Sequence, residues 1–183
     1  MTVFDEEDIF REVYAEFTDG TGPSQIQRIE REYGLSLIGR GTTRLVFRTH
    51  SDVMEKTTIV KIGIPERAGP RMNERESGLW QAADSPQREL LAPVLATDPE
   101  NRWLVMPLID VGVTPEQAYD FHRQLTATGL AMRDVTPGDI GIYDGDPVLI
   151  DYGGCKPIEK TPVNSEEMFE IVEKRWEDWN GSF

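Results

Sequence analysis

The sequence predicts an α+β fold built on an antiparallel sheet. Three observations predict it. Residues 35–50 (LSLIGRGTTRLVFRTH), 57–62 (TTIVKI), 90–97 and 102–109 are β-prone runs separated by turn residues, with a helical stretch only between the second and third. Residues 5–17, 70–83 and 115–128 carry apolar side chains at helical spacing. Ile140 to Tyr143 and Pro147 to Ile150 flank Asp144-Gly145, the turn signal of a tight hairpin. With 183 residues the chain is long enough for one ordinary domain or for two small lobes sharing a cleft.

The first helix is predicted over 5–17, where Ile9, Phe10, Val13, Tyr14 and Phe17 recur on one face and acids fill the first turn. TDGTGP at 18–23 breaks it. Ser24 is a suitable N-cap for a second helix over 25–33, which Gly34 ends. Both are expected to brace the sheet that follows. Residues 35–50 read as strand, glycine-rich turn, strand. In 57–62 a single lysine, Lys61, sits within a β-branched run, which is unfavourable unless its head reaches a partner or water. Pro70 suits the start of the next helix. There Met72, Glu76, Leu79, Trp80 and Ala83 share a face, and an acid on an apolar face requires a cation. Residues 90–97 and 102–109 form two further strands around DPEN. Thr114-Pro115-Glu116 caps a helix running to about Thr128, on which His122 is packed or exposed rather than catalytic. Residues 155–163 are irregular. Asn164 then caps a final amphipathic helix, whose Trp176 and Trp179 either dock on the core or offer a partner surface.

Composition narrows the function. Hydrophobic residues make up 38% of the chain, which is compatible with a packed core. No apolar run approaches membrane-span length, and the acidic N-terminus lacks the layout of a signal peptide. One cysteine, Cys155, excludes an intrachain disulfide, and with two histidines it excludes a Cys/His metal cluster. These features predict a cytoplasmic protein, or one packaged in a virion made in the cytoplasm. The net charge of −14 argues against nucleic acid as a partner, since that normally needs a basic face. Only five of the nineteen basic residues are lysines. Such an acid-rich, lysine-poor surface is expected of a halophilic source, an archaeon or its virus.

Chemistry concentrates between residues 131 and 154 (AMRDVTPGDIGIYDGDPVLIDYGG). The hairpin at 140–150 should bring Asp139 and Asp151 together at its base, with Asp134 on the loop before it. Three converging carboxylates repel unless a cation sits among them or a proton is shared. Upstream, Gly39 and Gly41 would let a backbone approach phosphates and donate N–H groups to them.

These residues, in this order, resemble the protein-kinase-like superfamily. Gly39, Gly41 and Val46 match its loop G-x-G-x-x-G-x-V, with Arg44 in place of the third glycine, where it either reaches a phosphate or faces solvent. Lys61 matches the lysine of V-A-I-K, and Met132-Arg133-Asp134-Val135 matches the start of H-R-D-L-x-x-x-N. Asp139 falls at the Asn position and Asp151-Tyr152-Gly153 at Asp-Phe-Gly. The resemblance covers about residues 35–154. It implies a two-lobed fold: an antiparallel-sheet N-lobe over 35–107, a minimal helical C-lobe over 108–183, and a helical extension over 1–34. It implies ATP and Mg as ligands. Asp134 would be catalytic, orienting or deprotonating an acceptor hydroxyl. Asp139 and Asp151 would hold the metal. Lys61 would contact phosphate, paired with Glu76 or, two residues away, Glu74. Met106, Pro107 and Ile109 would form the adenine-facing hinge. Ile59 would crowd the base from above, with Gly141 lowering the floor beneath it.

Two departures divide the functional expectation. Met132 replaces a histidine that props the loop, and Asp139 adds a charge where the family has Asn. The helices that build a peptide platform beyond Asp-Phe-Gly have no counterpart in the sequence, so a protein partner could complete the C-lobe. The resemblance therefore implies an Mg–ATP-dependent phosphotransferase, or else a nucleotide-binding pseudokinase acting as a scaffold or virion component.

Overall fold

The computed structural model describes residues 3–17, 21–49, 57–132, 135–158 and 174–176. Arg133, Asp134, the break at 18–20, Trp179 and the final helix apart from 174–176 lie outside the described residues. The protein is α+β, with an antiparallel five-stranded sheet and several helices. Its chain divides into two compact units: Met1–Ser77 with Pro93–Leu108, and Gly78–Ala92 with Ile109–Phe183.

The first unit begins with α1 (Val3–Glu16) and α2 (Pro23–Tyr33). Proline at the first helical position starts α2 one residue before Ser24, so Gly22 is the N-cap and Ser24 does not cap. Gly34 ends the helix in the left-handed region at φ 67°. Gln25 Nε2 donates to the Glu16 carbonyl at 2.7 Å, satisfying an orphan acceptor at the end of α1. The strands are β1 (Ser36–Arg40), β2 (Arg44–Arg48), β3 (Thr58–Gly63), β4 (Ala96–Thr97) and β5 (Trp103–Pro107), in the order β1-β2-β3-β5-β4.

Strand alternation gives this sheet two different faces. Leu45, Phe47, Val60, Ile62 and Trp103 join Phe10, Val13, Phe17, Ile26 and Ile29 in one buried core. The two N-terminal helices thus pack into this unit's core. The opposite face carries the intervening residues, Val46, Ile59 and Lys61 among them. α3 (Gly69–Ala82) starts from this unit, and its Asn73 Nδ2 donates to the carbonyls of Asn101 and Arg102 at 3.0 and 3.2 Å. The turn before β5 is held by Asp98, whose Oδ2 accepts from the N–H groups of Glu100 and Arg102 at 2.9 and 3.1 Å. Burial alone would raise the Asp98 pKa. The bonds from Arg102 and the turn backbone outweigh it and hold the carboxyl below its ordinary range.

In the second unit, α5 (Pro115–Ala127) is started by a reciprocal Thr114–Gln117 capping box. β8 (Ile140–Tyr143) and β9 (Asp146–Leu149) form the expected hairpin. Asp144 and Gly145 both have positive φ, 52° and 98°, as the tight turn requires. β6 (Asp110–Val111) adds to β8. A short pair joins β7 (Leu130–Ala131) to β10 (Lys156–Pro157).

One expected strand is in fact divided. The run 90–97 does not extend as a single element. The short helix α4 (Ser85–Arg88) precedes it, and Leu91 then bridges Leu149 in parallel. The Ala92 N–H donates to the Leu149 carbonyl at 2.9 Å, and the Leu149 N–H to Leu90 at 2.9 Å. Pro93, which has no N–H, follows, and the chain leaves for the first unit's sheet at β4. The Tyr152 hydroxyl completes the attachment by donating to the Ala92 carbonyl at 2.9 Å.

Candidate functional site

In the first unit, β-sheet register collects the predicted nucleotide-contacting residues. Val46 pairs with Lys61 and with Gly39 across its two neighbours, Arg44 pairs with Gly63, and Ile59 pairs with Met106. Directly paired residues share a face, and so do residues two apart on one strand. Gly39, Arg44, Val46, Ile59, Lys61 and Met106 therefore lie on one face, opposite the α1/α2 core. Pro107 and Thr58 are paired on the other face.

Lys61 is buried, and its Nζ donates to Glu76 Oε1 at 2.8 Å. Glu76 is fully enclosed, whereas Glu74 is exposed. The helix register thus selects Glu76 between the two candidates. Arg44 is the surprise. It is buried rather than solvent-facing, and its Nη1 donates to the second oxygen, Glu76 Oε2. One carboxylate is gripped from two strands. Asn73, one turn before Glu76, adds its Oδ1 to Arg44 at 3.3 Å. Sequence reasoning missed this role of Arg44: alternation from Val46 gives its face, but its partner follows only from the register of β2 with β3.

The Gly41 N–H donates to the Arg44 carbonyl at 2.9 Å, closing the β1–β2 hairpin on itself. That donor is engaged within the hairpin. Gly39 meets a different constraint. A Cβ there would lie 3.3 Å from Val46 Cβ.

In the second unit the Ile150 N–H donates to the Asp139 carbonyl at 2.7 Å. The hairpin base does bring residues 139 and 150 together, with Asp151 next in the chain. Asp139 also ends a 3₁₀ turn (Pro137–Asp139). Its Oδ2 accepts from the Thr136 N–H at 2.6 Å and from Thr136 Oγ1 at 2.7 Å. One of its oxygens is thus engaged in shaping the loop. Among the described residues no group of three or more His, Cys, Asp or Glu side chains could hold a metal ion. Asp134, the third predicted carboxylate, lies outside them. No family model matches the chain, and no curated protein does.

The hinge prediction falls where the chain passes between units. Met106 and Pro107 are buried in the first unit, and Ile109 begins the second. Gly141 has a local packing explanation. A Cβ there would lie 2.5 Å from Ile109 Cγ2 and 2.8 Å from the Asp110 carbonyl oxygen. The close approach of β6 to β8 demands glycine. Gly141→Ala should therefore destabilise the protein by about 1–3 kcal/mol through overpacking. Gly78→Ala, exposed in α3 with open space around it, should stabilise by about 0.5–1 kcal/mol. Urea unfolding of both variants checks the contrast, and equal effects would refute the packing account.

His122 is buried on α5, with Nδ1 3.5 Å from Thr126 Oγ1. Burial pushes its pKa below the ordinary value, and the backbone of Met132 draws it partly back. Its Nε2 has no hydrogen bond of good geometry among the described residues. It is a packed side chain. Trp176 is docked as well, half-buried with its Nε1 donating to the Val113 carbonyl at 2.8 Å. No helix among the described residues is long and apolar enough to cross a membrane.

Proposed function

We propose that the chain is a minimal two-lobed kinase-like protein that binds Mg–ATP and transfers its γ-phosphate to an acceptor hydroxyl. The observation that carries this reading is the buried Lys61–Glu76 pair on the sheet face shared by Gly39, Val46, Ile59 and Met106. A strand lysine fixed by a helix carboxylate is suited to present a point charge to phosphate, and phosphoryl transfer depends on such positioning.

The residues fit the two ligands through their donor chemistry. Asp139 and Asp151 offer the hard oxygen ligands that Mg prefers, and Mg would supply neutralisation of phosphate charge when bound. In the same reading Asp134 would orient the acceptor hydroxyl and take its proton. Lys61 would contact phosphate, and Met106 would line the back of the adenine site.

A second reading, a pseudokinase scaffold, has its own support. Gly41 commits its N–H to the hairpin, Arg44 shares the carboxylate of Glu76, and Asp139 commits Oδ2 to Thr136. Each reduces what is offered to a nucleotide.

Thermal unfolding with and without Mg–ATP separates ligand binding from none. Ligand a hundredfold above its Kd stabilises the native state by about 2.7 kcal/mol, which corresponds to roughly 5–10 °C for a chain of this size. The wild type should show this shift and Asp151→Asn should lose it. No shift in the wild type at millimolar Mg–ATP would refute nucleotide binding.

A further inference from the structure

The loop that follows Asp134 is held from the far end of the chain. Val135 is buried, and its carbonyl accepts from Arg175 Nη1 at 2.9 Å. The next residue, Trp176, donates through its indole to the Val113 carbonyl at 2.8 Å, just before the cap of α5. Two consecutive side chains of residues 174–176 thus end on backbone carbonyls of two separate loops. The other end of the 135–139 segment is fixed by the Thr136–Asp139 box and by the Ile150–Asp139 backbone bond.

We infer that Arg175 is a positioning residue: from the 174–176 segment it braces residues 135–139, which follow Asp134 in the sequence, with Trp176 anchoring the brace. As a role in phosphotransfer, this rests on the proposed Mg–ATP reading. The Thr136–Asp139 box fixes the later part of the segment, and Arg175 supplies the donor at its start, Val135. A guanidinium bonded to a carbonyl is a charge-assisted bond and is stronger than a neutral one.

The test uses the full chain as wild type, Arg175→Ala, Arg175→Lys and, as a surface control, Arg123→Ala. Amide hydrogen exchange is followed in peptides spanning 135–140, together with kcat and KM for Mg–ATP turnover. Exchange in that segment should rise at least about tenfold in Arg175→Ala, the factor one charge-assisted bond supports. It should rise less in Arg175→Lys, which retains a donor, and not in the control. The kcat should fall by about tenfold with KM within about twofold of wild type, the signature of lost positioning rather than lost binding. Unchanged loop exchange in Arg175→Ala would overturn the brace. So would exchange that rises throughout the β1–β5 sheet, because that would mark a general loss of folding. Loosening of the loop in a protein that shows no Mg–ATP turnover would refute phosphotransfer and leave the brace standing.

Discussion

Glu76→Ala should lower the stability of the protein by about 3–5 kcal/mol, the cost of removing one partner from a buried ion pair. The carboxylate is fully enclosed and is shared by Lys61 and Arg44, both themselves buried. Removing it leaves the contacts of two cations incomplete where water cannot readily replace the lost oxygens. In urea the midpoint should move down by roughly 1–2 M. Glu76→Gln keeps the shape and one acceptor, so it should lie between wild type and alanine. Glu74→Ala, on the exposed side of the same helix, should stay within about 0.5 kcal/mol of wild type. If Glu74→Ala and Glu76→Ala fell equally, the ion pair would not be what holds α3 to the sheet.

Asp134→Asn should reduce Mg–ATP turnover by about 10²–10⁴, the range general-base assistance contributes. ATP affinity should remain, because the proposed base acts on the acceptor rather than on the nucleotide. Single-turnover phosphate release together with equilibrium nucleotide binding separates the two quantities. Turnover equal to wild type would remove Asp134 from the mechanism, and the scaffold reading would gain. Loss of binding along with turnover would instead place Asp134 among the ligand-holding groups.

Much of the architecture was legible because its signals are local. Asp144-Gly145 announces a hairpin by its own backbone preferences, and the run 70–83 shows its period within four turns. The pairing of Lys61 with Glu76 was legible too, since a lone lysine in an apolar strand and a lone acid on an apolar face each need the other. Arg44 was not, because its partner depends on how β2 lies against β3, and register is a tertiary property. The same limit applies to Gly141. Its neighbours Ile109 and Asp110 are more than thirty residues away in sequence, and only their approach shows why no side chain fits. The run 90–97 misled for a related reason. Its composition suits a strand throughout, but competition between Leu149 on one side and Val105 on the other divides it near Pro93.

The attachment of residues 90–92 to Leu149 and Tyr152 also sets a timetable for synthesis. Ala92 and the tyrosine that caps it are separated by sixty positions. At roughly 5–20 residues per second, a ribosome needs about 3–12 s to deliver that partner after Ala92 has been made. Through this interval Leu90 and Leu91 lack the strand that will cover their backbone, whereas the β1–β5 sheet already has all its strands once Pro107 has emerged. A nascent chain stalled between residues 108 and 148 would therefore present a finished sheet followed by a sticky apolar stretch, the form in which a chaperone would find most to hold.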